Sequence, residues 1–131
     1  MAVAIITQTL TRVGRVLNSA MLLTINWTAD STDGSVTATP LTTDIKSQIA
    51  GWYITKVITN PSTPSPTNLH DITLVDSDGL DLADSDLLNR SATASEAAII
   101  SALVDANGFT FTLVGNSVNS AQGQCKIYLN K

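Results

Sequence analysis

Apolar and polar residues alternate with period two along three stretches of the chain. In residues 21–28, Met21, Leu23, Ile25 and Trp27 share one face, while Thr24, Asn26 and Thr28 occupy the other. In residues 108–114, Phe109, Phe111 and Leu113 oppose Thr110 and Thr112. In residues 124–130, Cys125, Ile127 and Leu129 oppose Lys126, Tyr128 and Asn130. Such alternation predicts antiparallel strands with one face in a core.

Weaker patterns extend the picture. Residues 3–10 and 10–17 read as strand, as one long strand bent at Gly14, and residues 34–40 read as strand after the turn that begins at Asp30. Residues 52–59 are apolar on both faces, which predicts a central or doubly covered strand ending at Asn60-Pro61. Residues 72–76 and 80–82 flank Asp78-Gly79, a tight-hairpin signal. The loop 62–69, with Pro64 and Pro66, is excluded from a central strand. Thr93-Ala94-Ser95-Glu96 has capping-box spacing ahead of an Ala- and Ile-rich run, so a short helix is expected near 94–104. Residues 42–49 are compatible with a further turn or two of helix. These elements predict an all-β chain, an antiparallel β-sandwich or barrel-like single domain over 1–131, with 1–9 as an N-terminal arm.

Composition sharpens this reading. Charged residues make up 14% of the 131, against a typical ~25% in globular domains. Thr alone occurs 18 times, as often as Asp, Glu, Lys and Arg together. A surface so poor in charge is covered by Thr, Ser, Asn and Gln or is hidden in an assembly, and a homo-oligomer is the expectation. Net charge is −4 and the seven Lys and Arg are scattered, which argues against nucleic acid as a partner. No stretch approaches the ~20 apolar residues that cross a membrane. The start of the chain lacks a basic segment and a full apolar signal core, so synthesis in a cytoplasm is expected.

Candidate chemistry is sparse. His70 is the only histidine, and a strand-end or solvent-facing role is favoured over catalysis. Six of the ten Asp fall in residues 71–86, which invites a calcium reading, yet the EF-hand order fails because Leu87 stands where the bidentate Glu belongs. A solvated hairpin is the favoured alternative. Asn26-Trp27-Thr28 and Asn89-Arg90-Ser91 match the glycosylation sequon, a match that carries no weight without a signal peptide, and Trp27, Trp52 and Tyr53 are aromatic candidates for sugar stacking, although strand aromatics are more often core. Cys125 reads as a small buried hydrophobe. No enzyme and no cofactor are expected.

Two stretches resemble small β-rich virion proteins of tailed bacteriophages. One is Ile54-Thr55-Lys56-Val57-Ile58-Thr59-Asn60-Pro61 leading into the Pro/Thr loop; the other runs from Asp71 through Asp78-Gly79 to Leu82 and on through Leu88-Asn89-Arg90-Ser91-Ala92-Thr93. The segments 12–16 and 124–129 are similar to the beginnings and ends of such proteins. The resemblance implies a decoration or cement protein of the virion, made in the host cytoplasm, coating an icosahedral capsid as a trimer and contacting the major capsid protein. A tail, neck or fibre-base protein and a glycan- or cell-surface-binding module are the alternatives. Val3, Ile5 and Ile6 in the arm, and Cys125, Ile127 and Leu129 in the last strand, are the candidate assembly contacts.

Overall fold

The computed structural model describes residues 4–14 and 19–131. Eight strands and one helix follow in the order β1 (Ile5–Arg12), β2 (Ala20–Thr28), β3 (Thr39–Pro40), α1 (Thr43–Ile49), β4 (Tyr53–Pro61), β5 (Asp71–Val75), β6 (Glu96–Leu103), β7 (Thr110–Val114) and β8 (Gln122–Asn130). They form a five-stranded sheet, β1-β2-β8-β4-β6, and a three-stranded sheet, β3-β7-β5, in which every pairing is antiparallel. Neither sheet closes into a barrel, so the chain is a sandwich.

Both sheets contribute to one core. Leu23, Ile25 and Trp27 of β2, Ile54 and Val57 of β4 and Cys125, Ile127 and Leu129 of β8 face Ile72 and Leu74 of β5 and Phe109, Phe111 and Leu113 around β7. The three alternating stretches thus bury their more apolar set, as their period requires. On β4 the inward residues are Ile54, Val57 and Thr59, an uneven spacing made by a bulge at Thr55. The Thr55 hydroxyl donates to Asn130 Oδ1 at 2.9 Å.

The helix lies at 43–49 and not at 94–104. Thr42 caps it, its Oγ1 accepting from Ile45 N at 3.3 Å, and Ile45 and Ile49, four apart, are buried against the core. The 94–104 expectation fails because Ala98, Ile100 and Ala102 alternate inward along β6 while Ile99, Ser101 and Leu103 stay out. Strand pairing with β4 overrides the local helix preference of the alanines. The capping box is replaced by a turn: Ser91 Oγ accepts from Thr93 N and Ala94 N, and Glu96 Oε1 accepts from Ser91 N at 2.6 Å.

Two other expectations shrink. Of residues 34–40 only Thr39–Pro40 pairs, with Phe111 and Thr110 of β7. The Asp78-Gly79 turn forms, Gly79 at φ +82° and Asp76 N donating to Leu80 O at 2.8 Å, but the returning segment makes only the bridge Val75↔Asp81. The Asp81 carboxylate takes the Leu74 N–H that a second strand would have received. Near the start of the chain, Ile5–Arg12 pairs with β2 along its whole length, and Gln8 joins it to the other layer through Pro40 O (2.9 Å) and Thr42 N (3.0 Å). Residues 5–9 of the expected arm are therefore an edge strand of the sandwich. Val3 and part of the 10–17 stretch lie outside the described residues.

Candidate functional site

The five-stranded sheet has one face in the core and one that no other element among the described residues covers. Registers place the outer residues in rows across the strands. One row reads Ala20, Asn130, Tyr53, Leu103; the next Leu22, Tyr128, Lys56, Ile99; then Thr24, Lys126, Ile58, Ala97; then Asn26, Gln124, Asn60. β1 adds Ile5, Thr7, Thr9 and Thr11 at its side. With strands ~4.8 Å apart and ~3.3 Å of rise per residue, the face covers on the order of 650 Å².

The face is asymmetric. Its β1 side and the row through Asn26 are polar: Asn60 Nδ2 donates to Gln124 Oε1, and Gln124 Nε2 donates to Asn26 Oδ1, both at 3.0 Å. An open concavity of about 330 Å³ lies at this end, lined by Asn26, Thr28, Asn60, Ser62 and Gln124 among others. The β4–β6 corner is apolar. Ile99 is 76% exposed, and Tyr53 and Leu103, directly opposite one another, are each 48% exposed. Lys56 Nζ sits 5.0 Å from the Tyr128 ring centroid, a cation–π distance that lays its stem along the same corner. Lys56 and Lys126 are the charged residues among the described residues of these rows, although the chain as a whole carries −4.

No family model, curated protein or solved structure matches this chain.

The residues expected to make assembly contacts divide sharply. Ile5 is 61% exposed at the rim of the face, whereas Ile6, opposite Trp27, points inward and packs against the core. Cys125, Ile127 and Leu129 are buried in the sandwich and present no surface, which corrects their assignment as contacts. Alternation sends the more apolar set of β8 inward, so its outward residues are Lys126 and Tyr128. Burial also pushes the Cys125 thiol up to about 12, which makes it an inert core group. The outward residues Tyr53, Lys56, Ile99 and Leu103 were the ones missed. Their signal was an alternating 97–103 in place of the helix assigned there.

His70 is buried and stands at a strand end, immediately before β5 and bridged to Arg90, which agrees with the strand-end reading and corrects the solvent-facing one. Its ring meets Trp27 edge-on with centroids 6.2 Å apart, and its Nδ1–H donates to Thr67 O at 2.8 Å. Desolvation, with the charge of Arg90, holds its pKa below the ordinary 6.5, against the opposing pull of the Thr67 carbonyl, Asp71 and Glu96. A lowered folded pKa means the unfolded chain binds the proton first, so stability is full above pH ~6.5 and declines as pH falls toward the folded value. As the sole histidine, His70 should account for most of the stability slope between pH 7 and 5.5. Urea titrations across that window should show the slope in the wild type and a flat response in His70→Gln; equal slopes would remove His70 from the explanation.

Two carboxylates of the acidic segment, those of Asp76 and Asp81, are used internally. Asp76 Oδ1 accepts from Asp78 N and Leu80 N, each at 2.9 Å. Asp81 accepts from Leu74 N (2.9 Å), Ala83 N (3.1 Å) and Ser85 N (3.0 Å). These are turn-forming bonds that a folded hairpin needs whether or not a cation is present. The two tryptophans are core: Trp27 lies over Gly123, and Trp52 is buried with Lys131 Nζ 5.9 Å from its ring centroid.

Proposed function

We propose that this chain is a non-enzymatic virion protein that coats and stabilises an icosahedral bacteriophage capsid, as a homo-oligomer, by laying the outer face of its five-stranded sheet on the shell. The single observation that carries the reading is that face. It joins an apolar corner of Tyr53, Ile58, Ile99 and Leu103 to a broad amide- and hydroxyl-rich field with only two lysines. Its extent, on the order of 650 Å², is close to the ~800 Å² that each partner contributes to a standard stable interface. A monomer in water normally breaks such a surface with charges.

The resemblance of residues 54–61, 71–82 and 88–93 to phage virion proteins supports the major capsid protein as the partner. The enclosure of His70 against Trp27 and the burial of Cys125 support structural tasks for these two side chains. The buried tryptophans remove two of the three candidates for sugar stacking, leaving Tyr53, 48% exposed on the outer face, as the third.

Mixing the purified chain with undecorated shells of the same phage tests the proposal. Co-sedimentation and a raised shell melting temperature are expected, because binding to the assembled state alone stabilises it by mass action. A chain that stays in the supernatant and leaves the shell's melting unchanged would remove the capsid reading. Few copies per particle, located at the tail or neck, would replace it with the tail-protein alternative.

A further inference from the structure

We infer that the β6 edge of the five-stranded sheet is the self-association surface of this protein, pairing antiparallel with β6 of a second copy across a two-fold axis. An edge strand presents unpaired N–H and C=O groups, and natural proteins guard such edges with charge, proline or cover. Between Ala97 and Leu103, β6 has neither charge nor proline, and it carries the most exposed large apolar residue described, Ile99. The bulge that sets Thr55 against Ile100 and Ser101 adds twist to the strand and is its one guard among the described residues.

Topology selects the occupant. In the order β1-β2-β8-β4-β6 each neighbour is antiparallel, so β1 and β6 run in the same direction. Placing a second copy's β1 beside β6, with outer faces on one side, makes a parallel pair in an otherwise antiparallel sheet. Making that pair antiparallel turns the second copy's core face to the side on which the first shows its outer face. Two β6 strands related by a two-fold axis perpendicular to the sheet meet neither obstacle. They pair antiparallel and keep both outer faces on one side, the self-complementary arrangement of a closed dimer.

Charge agrees with this choice. Near the axis the strands bring together Ala97, Ile99, Ser101 and Leu103 with their own copies, so no like charges face each other. The other edge, β1, presents hydroxyls at Thr7, Thr9 and Thr11 where β6 presents Ile99 and Leu103, ends in Arg12, and places its exposed apolar residue, Ile5, at one end. Pairing at β6 also joins the two Tyr53–Ile99–Leu103 corners into one strip. The inference rests on the homo-oligomer part of the proposed function and is independent of the shell.

Sedimentation equilibrium of the full chain across a dilution series tests it. The expected species is a dimer, twice the 13.8 kDa chain mass, and Ile99→Lys and Leu103→Lys should each weaken it at least tenfold. Both side chains point to solvent, so folding should survive, and a circular-dichroism melt checks that. If either variant fails to fold, amide exchange in the wild type still decides, because residues 97–103 should lose protection on dilution while Ile5–Arg12 should not. A wild-type monomer, a trimer, a dimer unaffected by both variants, or β6 amides indifferent to dilution each overturns the β6 pairing. A monomeric wild type that still sediments with shells overturns the pairing and leaves the capsid reading standing. A wild-type dimer that ignores shells removes that reading and keeps the pairing.

Discussion

Gly123→Ala should cost this protein about 2–3 kcal/mol, a fall of roughly 8–12 °C in Tm, although alanine is the better strand residue. Gly123 stands opposite Trp27 in the β2–β8 pair, and a Cβ there would lie 2.5 Å from Cζ2, 2.7 Å from Cε2 and 2.9 Å from Nε1 of the indole. The ring cannot give way easily, since it is buried and held on another side by the His70 edge. The diagnostic is the double-mutant cycle. Trp27→Leu alone should lose about 2–4 kcal/mol to the cavity it leaves. Gly123→Ala placed in that background should cost little or even help, because the new methyl enters the vacated space. The coupling should therefore be favourable by more than ~1 kcal/mol; additive losses would show that the two residues do not meet.

Asn116→Ala should lose about 2–3 kcal/mol by detaching three loops at once, since each buried backbone group left unpaired costs ~1–3 kcal/mol and water recovers part of it. Its Nδ2 donates to Gly34 O (2.7 Å) and Val118 O (3.1 Å), and its Oδ1 accepts from Thr67 N (2.9 Å) and Val118 N (3.2 Å). One side chain thus ties the 30–38 turn to the Pro-rich loop and to the β7–β8 connection. Gly34 is part of the same junction: at φ +77° a Cβ would fall 2.7 Å from the Ser117 carbonyl carbon. Asn116→Asp keeps the two accepted bonds but turns a carboxylate oxygen toward two carbonyls. That raises its folded pKa, so this variant should regain stability as pH falls through the carboxylate range, while Asn116→Ala should not. Chemical denaturation at pH 7 and pH 4 separates the two; parallel behaviour would sink the assignment.

The fold class was legible because alternation is a direct consequence of the strand's two-residue period, and the stretches around Leu23, Phe111 and Ile127 satisfied it without competition. Three things were not legible, each for a physical reason. Residues 96–103 carried a helix signal in their alanines and in the Thr93–Glu96 spacing, and pairing with β4 outweighed it. Gln8, Asn116 and Asp81 hold the loops through contacts distant in sequence, and a polar residue's partner leaves no periodic trace. The outward-facing set was inverted on β8. Alternation reveals that a strand has two faces, and the more apolar one, Cys125–Ile127–Leu129, had to go inward. What reaches solvent is the set that looks ordinary in sequence, Lys126 and Tyr128 beside Lys56 and Tyr53. Their significance appears only when the registers place Ile99 and Leu103 next to them.

Hydroxyl-radical footprinting of the chain, free and bound to shells, reads most directly whether the outer face of the five-stranded sheet is the surface that becomes covered. Tyr53, Tyr128 and Leu103 should become protected on binding, while Leu80 and Val114, exposed on the three-stranded side, should react as before. Protection of Leu80 and Val114 with Tyr53, Tyr128 and Leu103 unchanged would contradict it.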